Sequence, residues 1–130
     1  MYKIQKETKG NLTVFNLTFS GFIKQDEMHR WVEDSKKELA SVSGEFVVNV
    51  DMTEMKPLPA DAQKEMQSGQ KLYREKGLKR SAVLINSAVT KMQFERIAKE
   101  TGLDEYERYF SSEEPNYEIS INDWLTKEDA

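Results

Sequence analysis

The stretch Glu45-Phe46-Val47-Val48-Asn49-Val50-Asp51 decides the fold of this 130-residue chain. Four of its seven residues are β-branched or aromatic, and Gly44 precedes it. A short apolar run of this kind predicts a strand that is buried on both faces. The segments on either side, roughly residues 24–42 and 59–76, have the apolar spacing of helices. A buried strand between two helices is typical of α/β proteins with a mainly parallel sheet.

The same alternation of strand and helix recurs along the whole chain. A first strand at Tyr2–Glu7 and a turn at Lys9-Gly10-Asn11 predict an antiparallel hairpin with the run that follows. We therefore predict one α/β domain over residues 1–130, with about five strands in a mixed, mostly parallel sheet and four helices. The apolar runs and the helical segments after them are Asn11–Phe19 with 24–42, Glu45–Asp51 with 59–76, Lys79–Ile85 with 88–101, and Tyr106–Phe110 with 116–126.

Two helical segments carry specific packing predictions. In the first, Met28, Trp31, Val32 and Leu39 lie on one apolar stripe, so Trp31 is predicted to be a core residue. In the second, Gly69 lies in mid-helix, where glycine costs about 1 kcal/mol relative to alanine. We expect close packing of this helix against the sheet to be the reason for that glycine.

Composition excludes several function classes. The net charge is −4 with 32% charged residues, which does not favour nucleic-acid or membrane-surface binding. The chain has no cysteine, so disulfides, thiolate catalysis and cysteine-ligated metals are excluded. No apolar stretch approaches the ~18 residues of a membrane span, and the first residues lack the apolar core of a signal peptide. We expect a cytoplasmic protein that is not inserted in a membrane.

Two motifs carry a family resemblance. The chain ends with a strand, an acidic turn and a Trp-Leu pair, at Arg108–Glu114 and Trp124-Leu125, and its central strand ends Val50-Asp51-Met52-Thr53. With the order of elements, these motifs resemble the STAS-like or SpoIIAA-like domains, the fold of bacterial anti-sigma-factor antagonists. More narrowly, the chain resembles the small stand-alone bacterial STAS/SEC14-like proteins. The resemblance implies a non-enzymatic regulatory or scaffold module that binds another protein.

One position departs from the family pattern. Antagonists of this family carry a phosphorylatable serine just before the second helix, several residues beyond the Asp-x-Ser/Thr signature. Aligned on Asp51 without gaps, this place falls near Ala60, within Pro59-Ala60-Asp61. Because alanine has no hydroxyl, we do not expect classical serine phospho-switching there. Binding of a protein partner does not depend on that hydroxyl.

The same crossover is the predicted partner-binding surface, because antagonists of the resembled family present this region to a partner kinase. Methionine also forms adaptable contact surfaces. The alternative is that these side chains fill gaps in the core. The predicted partner is a protein, and the resemblance implies a regulatory kinase-like one. The predicted contact residues are Met52, Met55, Leu58, Asp61 and Met66.

Polar residues at the expected carboxyl ends of the strands predict a second kind of site. Ligands of open α/β sheets collect at this edge, next to helix N-termini. The alternative is that these residues cap helices and turns. The second functional hypothesis is therefore a carrier or sensor of a small lipid-like or anionic molecule. It requires an apolar cavity of about 300 Å³ or more that opens between a helix and the sheet. The predicted rim consists of Ser20, Asp51, Thr53, Asn86, Ser87, Ser111 and Ser112.

No residue pattern predicts catalysis, a metal or a cofactor. The only histidine, His29, lies four residues before Glu33 and is expected to form a surface pair with it. Asp51 follows a buried strand and is expected to cap the turn after it rather than to act as a base. A homodimer is a further hypothesis, because an exposed first or last strand offers an edge for pairing.

Overall fold

The computed structural model describes residues 1–128 and contains one five-stranded sheet with four α-helices. A single 3-10 turn, Leu103–Tyr106, precedes the last strand. No helix in this part of the chain is long and apolar enough to cross a membrane. In chain order the elements are β1 Tyr2–Lys9, β2 Leu12–Gly21, α1 Gln25–Ala40, β3 Phe46–Met55, α2 Ala60–Glu75, β4 Leu78–Ile85, α3 Ala88–Thr101, β5 Glu107–Ser111 and α4 Tyr117–Thr126.

The strands lie side by side in chain order, β1-β2-β3-β4-β5. β1 and β2 form an antiparallel hairpin whose turn includes Gly10 at φ 62°, a left-handed conformation that glycine adopts without strain. The other three pairings are parallel. The predicted α/β fold, with a mostly parallel sheet and one antiparallel strand, is therefore confirmed.

The helices divide unequally between the two faces of the sheet. Helices α1, α2 and α3 pack on one face, here called the large face, and form the main core with buried side chains such as Phe15, Phe46 and Phe94. Helix α4 alone packs on the opposite face, where Ile121 and Leu125 cover the central strands. Because alternate residues of a strand point to opposite faces, each central strand contributes to both cores.

Trp31 of α1 is the centre of the packing between α1 and α2. It is 2% exposed, stacks on Tyr73 at 5.5 Å between ring centroids, and meets Phe19 edge-on at 5.3 Å. A Cβ atom on Gly69 would lie 2.0 Å from Cζ3 of Trp31. Gly69 is therefore required by close packing, as predicted, but the neighbour is the indole of α1 and not the sheet.

Strand β3 is longer than predicted, because it continues past Asp51 to Met55. The register with β2 shifts in this extension, where Met52 and Thr53 together oppose the single residue Phe19. Such a bulge lets a strand continue through residues that otherwise favour a turn. As a result Asp51 and Thr53 lie within a strand and not beyond its end.

Trp124 holds α4 on its face of the sheet. Its indole N–H donates to the carbonyl of Ser81 in β4 at 2.9 Å. The guanidinium groups of Arg80 and Arg108 lie over the ring at 4.5 and 4.4 Å from its centroid. These contacts join the C-terminal helix to β4 and β5.

Candidate functional site

The loops at the carboxyl ends of β2, β3 and β4 form one continuous edge of the molecule. The backbone N–H of Lys56 donates to the carbonyl of Gly21 at 3.0 Å, which joins the first two loops. Gln93 of α3 holds the loop after β3 against that helix, because its side chain accepts from the N–H of Leu58 at 2.9 Å and donates to the Leu58 carbonyl at 3.1 Å. We call this region the carboxyl edge.

The predicted partner residues divide into buried and exposed groups at this edge. The side chains of Met52, Met55, Leu58 and Met66 are no more than 4% exposed and belong to the large-face core. They do not form an exposed apolar surface, which corrects that part of the prediction; the core-filling alternative describes them. Only Asp61 is exposed, and its carboxylate accepts the N–H of Ala62 at 2.8 Å in the first turn of α2.

Other apolar side chains are exposed at the carboxyl edge. Phe22, after β2, is 60% exposed, and Val89 and Met92 in the first turns of α3 are 51% and 64% exposed. Their exposure could not be read from the sequence, since a single apolar residue among polar neighbours does not reveal whether it is buried. These three residues are not among the predicted contact residues.

The predicted ligand rim is divided among separate places. Ser20 lies beside the chain start, where its carbonyl accepts from the Met1 amino group at 2.7 Å. Asp51 and Thr53 bind each other within β3: one Asp51 carboxylate oxygen accepts from the Thr53 N–H at 3.0 Å and from its hydroxyl at 2.8 Å. Asp51 therefore caps the backbone of the bulge, the role expected of it, although in a strand and not in a turn.

The remaining rim residues lie together at the carboxyl ends of β4 and β5. Asn86, Ser87 and Ser111 line a pocket of about 240 Å³, and the Ser112 hydroxyl donates to the side chain of Asn86. The hydroxyls also serve the backbone, because Ser87 accepts the N–H of Thr90 at 3.2 Å and Ser111 accepts that of Glu113 at 3.2 Å. Capping therefore accounts for these serines.

The strand order explains why the rim is not one site. In open α/β sheets the ligand crevice forms where the strand order reverses and helices leave on opposite faces. Here the order is consecutive, and the three crossover helices share the large face. The carboxyl edge is thus a surface rather than a crevice.

Two spaces bear on the carrier hypothesis, one an internal cavity and the other a surface groove. The cavity inside the large-face core is about 40 Å³, room for one or two waters. A groove of about 360 Å³ lies between α4 and the sheet, and its floor includes Asn16, Asn49 and Asp51. The internal cavity is too small for the predicted carrier. The groove has the predicted volume and lies between a helix and the sheet, but its lining mixes polar Asn16, Asn49 and Asp51 with apolar Val14, Ile121 and Leu125.

Glu107 is a buried carboxyl group that the sequence did not reveal. It begins β5, is 6% exposed, lines the small core cavity, and accepts a hydrogen bond from the Tyr109 hydroxyl at 2.6 Å. Burial raises the pKa of Glu107 to about 7, and nearby Asp104 acts in the same direction. Hydrogen bonds from Tyr109 and Ser81 partly oppose this shift.

His29 lies on the helical surface, away from the carboxyl edge serines. Its Nε2 is 3.7 Å from Glu33, the expected pair, and its Nδ1 is 3.1 Å from Glu65 of α2, a contact that the sequence did not show. Within residues 1–128 no cluster of three or more histidine or acidic side chains is arranged to hold a metal ion.

The comparisons with known proteins define the fold. No protein-family model and no curated protein matches the sequence. One similar solved structure is an uncharacterized protein of the DUF3478 family with a SpoIIAA-like fold from Shewanella loihica PV-4, with TM-score 0.67, 18% identity, and coverage of 95% of this chain and 93% of that one. Another is an anti-sigma factor antagonist from Mycobacterium paratuberculosis, with TM-score 0.52, 15% identity, and coverage of 95% and 96%. The chain therefore has the SpoIIAA-like fold that the sequence predicted.

Proposed function

We propose that this chain, as a SpoIIAA-like domain, is a non-enzymatic cytoplasmic regulatory module that binds a protein partner through its carboxyl edge. The observation that carries the proposal is the likeness in fold, over 95% of the chain, to an anti-sigma factor antagonist. A regulatory kinase-like protein is the partner class that the family resemblance implies.

The crossover from β3 to α2 supplies the central part of the proposed surface. Lys56, Pro57 and Asp61 are exposed there, above the buried Met52 and Met66. The loop is fixed from both sides by hydrogen bonds from Gln63 and Gln93 to the Leu58 carbonyl. A surface held by its own core and neighbours loses little conformational entropy on binding.

Regulation by this module does not require a phosphoserine at the start of α2. Ala60 is the first residue of that helix, and the next side chain, Asp61, already places a carboxylate in its first turn. A negative charge there is favoured by the helix dipole. The partner would therefore meet a charge that does not depend on phosphorylation.

The carrier hypothesis has less support. A lipid-like ligand needs an apolar enclosure of several hundred Å³, whereas the core cavity is about 40 Å³ and the groove of about 360 Å³ beside α4 has a mixed polar and apolar lining. Homodimer formation remains a prediction; of the two edge strands, β1 has eight residues and β5 has five.

The test is affinity capture with the tagged full-length chain in a lysate of its own host, followed by quantitative mass spectrometry. Three baits are compared: wild type, Asp61→Arg, and the control Asp123→Arg at an exposed position of α4. We expect a polypeptide that is retained by wild type and control and lost with Asp61→Arg, while circular dichroism shows all three folded. An identical set of proteins on all three baits would contradict the proposed surface, and no specific protein on any bait would contradict the function.

A further inference from the structure

The groove beside α4 takes no part in the proposed function. It lies between α4 and strands β2, β3 and β4, on the face of the sheet opposite to the large face. Its volume of about 360 Å³ is within the size range of small-molecule sites. We call it the α4 groove. Its apolar wall consists of Leu12, Val14, Leu84, Ile121 and Leu125.

The polar floor of the α4 groove offers hydrogen-bond acceptors. Asn16 and Asn49 are cross-strand partners, and Nδ2 of Asn49 donates to Oδ1 of Asn16 at 3.2 Å. Nδ2 of Asn16 in turn donates to Glu7 at 3.0 Å. Oδ1 of Asp51 accepts both bonds from Thr53. The atoms left without a hydrogen-bond partner among residues 1–128 are two acceptors, Oδ1 of Asn49 and Oδ2 of Asp51.

The end of the α4 groove that lies toward the carboxyl ends of the strands is negatively charged. Helix α4 runs back along the sheet, because Trp124 in its last turn donates to Ser81 in the first half of β4. Glu118, in the first turn of α4, therefore lies at the same end as Asp51, and both line the groove. The full charge of Glu118 exceeds the roughly half positive charge of the helix N-terminus.

Among the described residues that line the α4 groove, the only basic one lies at the other end. Lys9 pairs with Leu12 at the start of β2, six residues before Thr18, which is the partner of Asp51. At about 3.3 Å per residue the two places are about 20 Å apart along the strand. Lys9 is also 3.8 Å from the carboxylate of Glu7. It therefore does not neutralise Asp51.

We infer that the α4 groove binds a small organic cation, an ammonium group attached to an apolar body. The ammonium donates to the two acceptors of the floor, on Asn49 and Asp51, and charge-assisted bonds at a partly buried place are screened less than in open solvent. The body packs on Leu84, the cross-strand neighbour of Asp51, and on Ile121. An anionic ligand would be repelled by Asp51 and Glu118. This site goes beyond the proposed function, because it does not depend on a protein partner.

The test is titration of the isotopically labelled full-length protein with matched probes, followed by the NMR shifts of its backbone amides. The cations are phenethylammonium and hexylammonium. Their neutral counterparts are phenethyl alcohol and hexanol, and their anionic counterparts are hydrocinnamate and hexanoate. We expect at least one cation to shift the amides of Asn49, Asp51 and Ile121, and to bind at least about tenfold more tightly than its neutral and anionic counterparts.

Two variants and their matched controls locate the binding. Asp51→Asn keeps an oxygen for the bonds from Thr53 but removes the charge, so it should weaken binding of the cation by at least about tenfold. Asn122→Trp fills the groove from an exposed position of its lining and should abolish binding. Asp123→Asn and Asp123→Trp change the exposed neighbour, which does not line the groove, and should bind as wild type does.

Several results would overturn the inference. These are an absence of groove shifts with both cations, equal binding of a neutral or anionic counterpart, and unchanged binding of the cation to Asp51→Asn. Equal losses in the Asp123 variants would also overturn it, because the contact would then not be specific to the groove. The capture experiment with Asp61→Arg tests another surface, so the proposed function and this inference can fail separately.

Discussion

Replacing Glu107 with glutamine should remove a pH dependence from the stability of the protein. The carboxyl of Glu107 is 6% exposed, and its pKa is raised from the ordinary 4.5 to about 7. As the pH rises, the unfolded chain therefore loses this proton first, and the folded protein keeps it to near neutral pH. Unfolding releases a proton in this window, so higher pH favours the unfolded state.

The size of the effect follows from the two pKa values. Their difference, at about 1.4 kcal/mol per pKa unit, corresponds to a loss of roughly 3 kcal/mol between about pH 4.5 and pH 7. Above that range the loss is complete and constant. This is a large fraction of the 5–15 kcal/mol that typically stabilises a domain. Glutamine keeps an acceptor for the Tyr109 hydroxyl and carries no charge at any pH.

The assay is urea unfolding of wild type, Glu107→Gln and the exposed control Glu105→Gln, at several values between about pH 5 and pH 8. Near pH 5 the wild type and Glu107→Gln should be similar in stability. Near pH 8 Glu107→Gln should be the more stable by roughly 3 kcal/mol, and Glu105→Gln should follow the wild type. A constant difference between wild type and Glu107→Gln across this range would refute the argument from burial.

Two packing predictions follow from the helices. Gly69→Ala should destabilise the protein by about 1–3 kcal/mol in urea unfolding, because its Cβ would lie 2.0 Å from the Trp31 ring, despite alanine's better helix propensity. Trp31→Ala alone should lower the free energy of unfolding by about 3–5 kcal/mol, and in that background Gly69→Ala should become stabilising. If Gly69→Ala destabilises the protein in both backgrounds, a group other than the Trp31 ring excludes a side chain at residue 69. Trp124→Leu removes the hydrogen bond to Ser81 and both arginine contacts, which should lower the free energy of unfolding by roughly 2 kcal/mol. Limited proteolysis should therefore cut the segment before α4 faster than in the wild type. Unchanged cleavage in that variant would mean that Ile121 and Leu125 hold α4 by themselves.

The fold was predictable because its periodic patterns are uninterrupted and end at glycine or proline. The stripe of Met28, Trp31, Val32 and Leu39 predicted a helix, and these residues are buried in α1. The end of β3 was not predictable, because Asp51 favours turns, whereas the strand continues past it through a bulge opposite Phe19. The presence of Gly69 indicated close packing, but the identity of its neighbour depends on how α1 lies against α2.

The candidate site was less predictable, since exposure is a property of the assembled molecule. Met52 and Met92 are the same residue type in similarly polar surroundings, yet one is 4% exposed and the other 64%. The sequence likewise does not reveal the burial of Glu107, which depends on the packing of the 3-10 turn and of β4 around the start of β5. Local sequence patterns determine which helices and strands form, whereas the burial of a side chain depends on contacts between residues that are distant in the chain.

The consecutive strand order has a consequence for the synthesis of the protein. Each new strand pairs with the one made just before it, so no strand has to wait for, or be inserted between, later parts of the chain. During synthesis the N-terminal part of a chain is made first, so each strand emerges beside a neighbour that has already been made. The opposite face is completed only when α4 emerges. A nascent chain stalled before Trp124 would therefore carry a nearly complete sheet with one bare apolar face, the species on which chaperones would act.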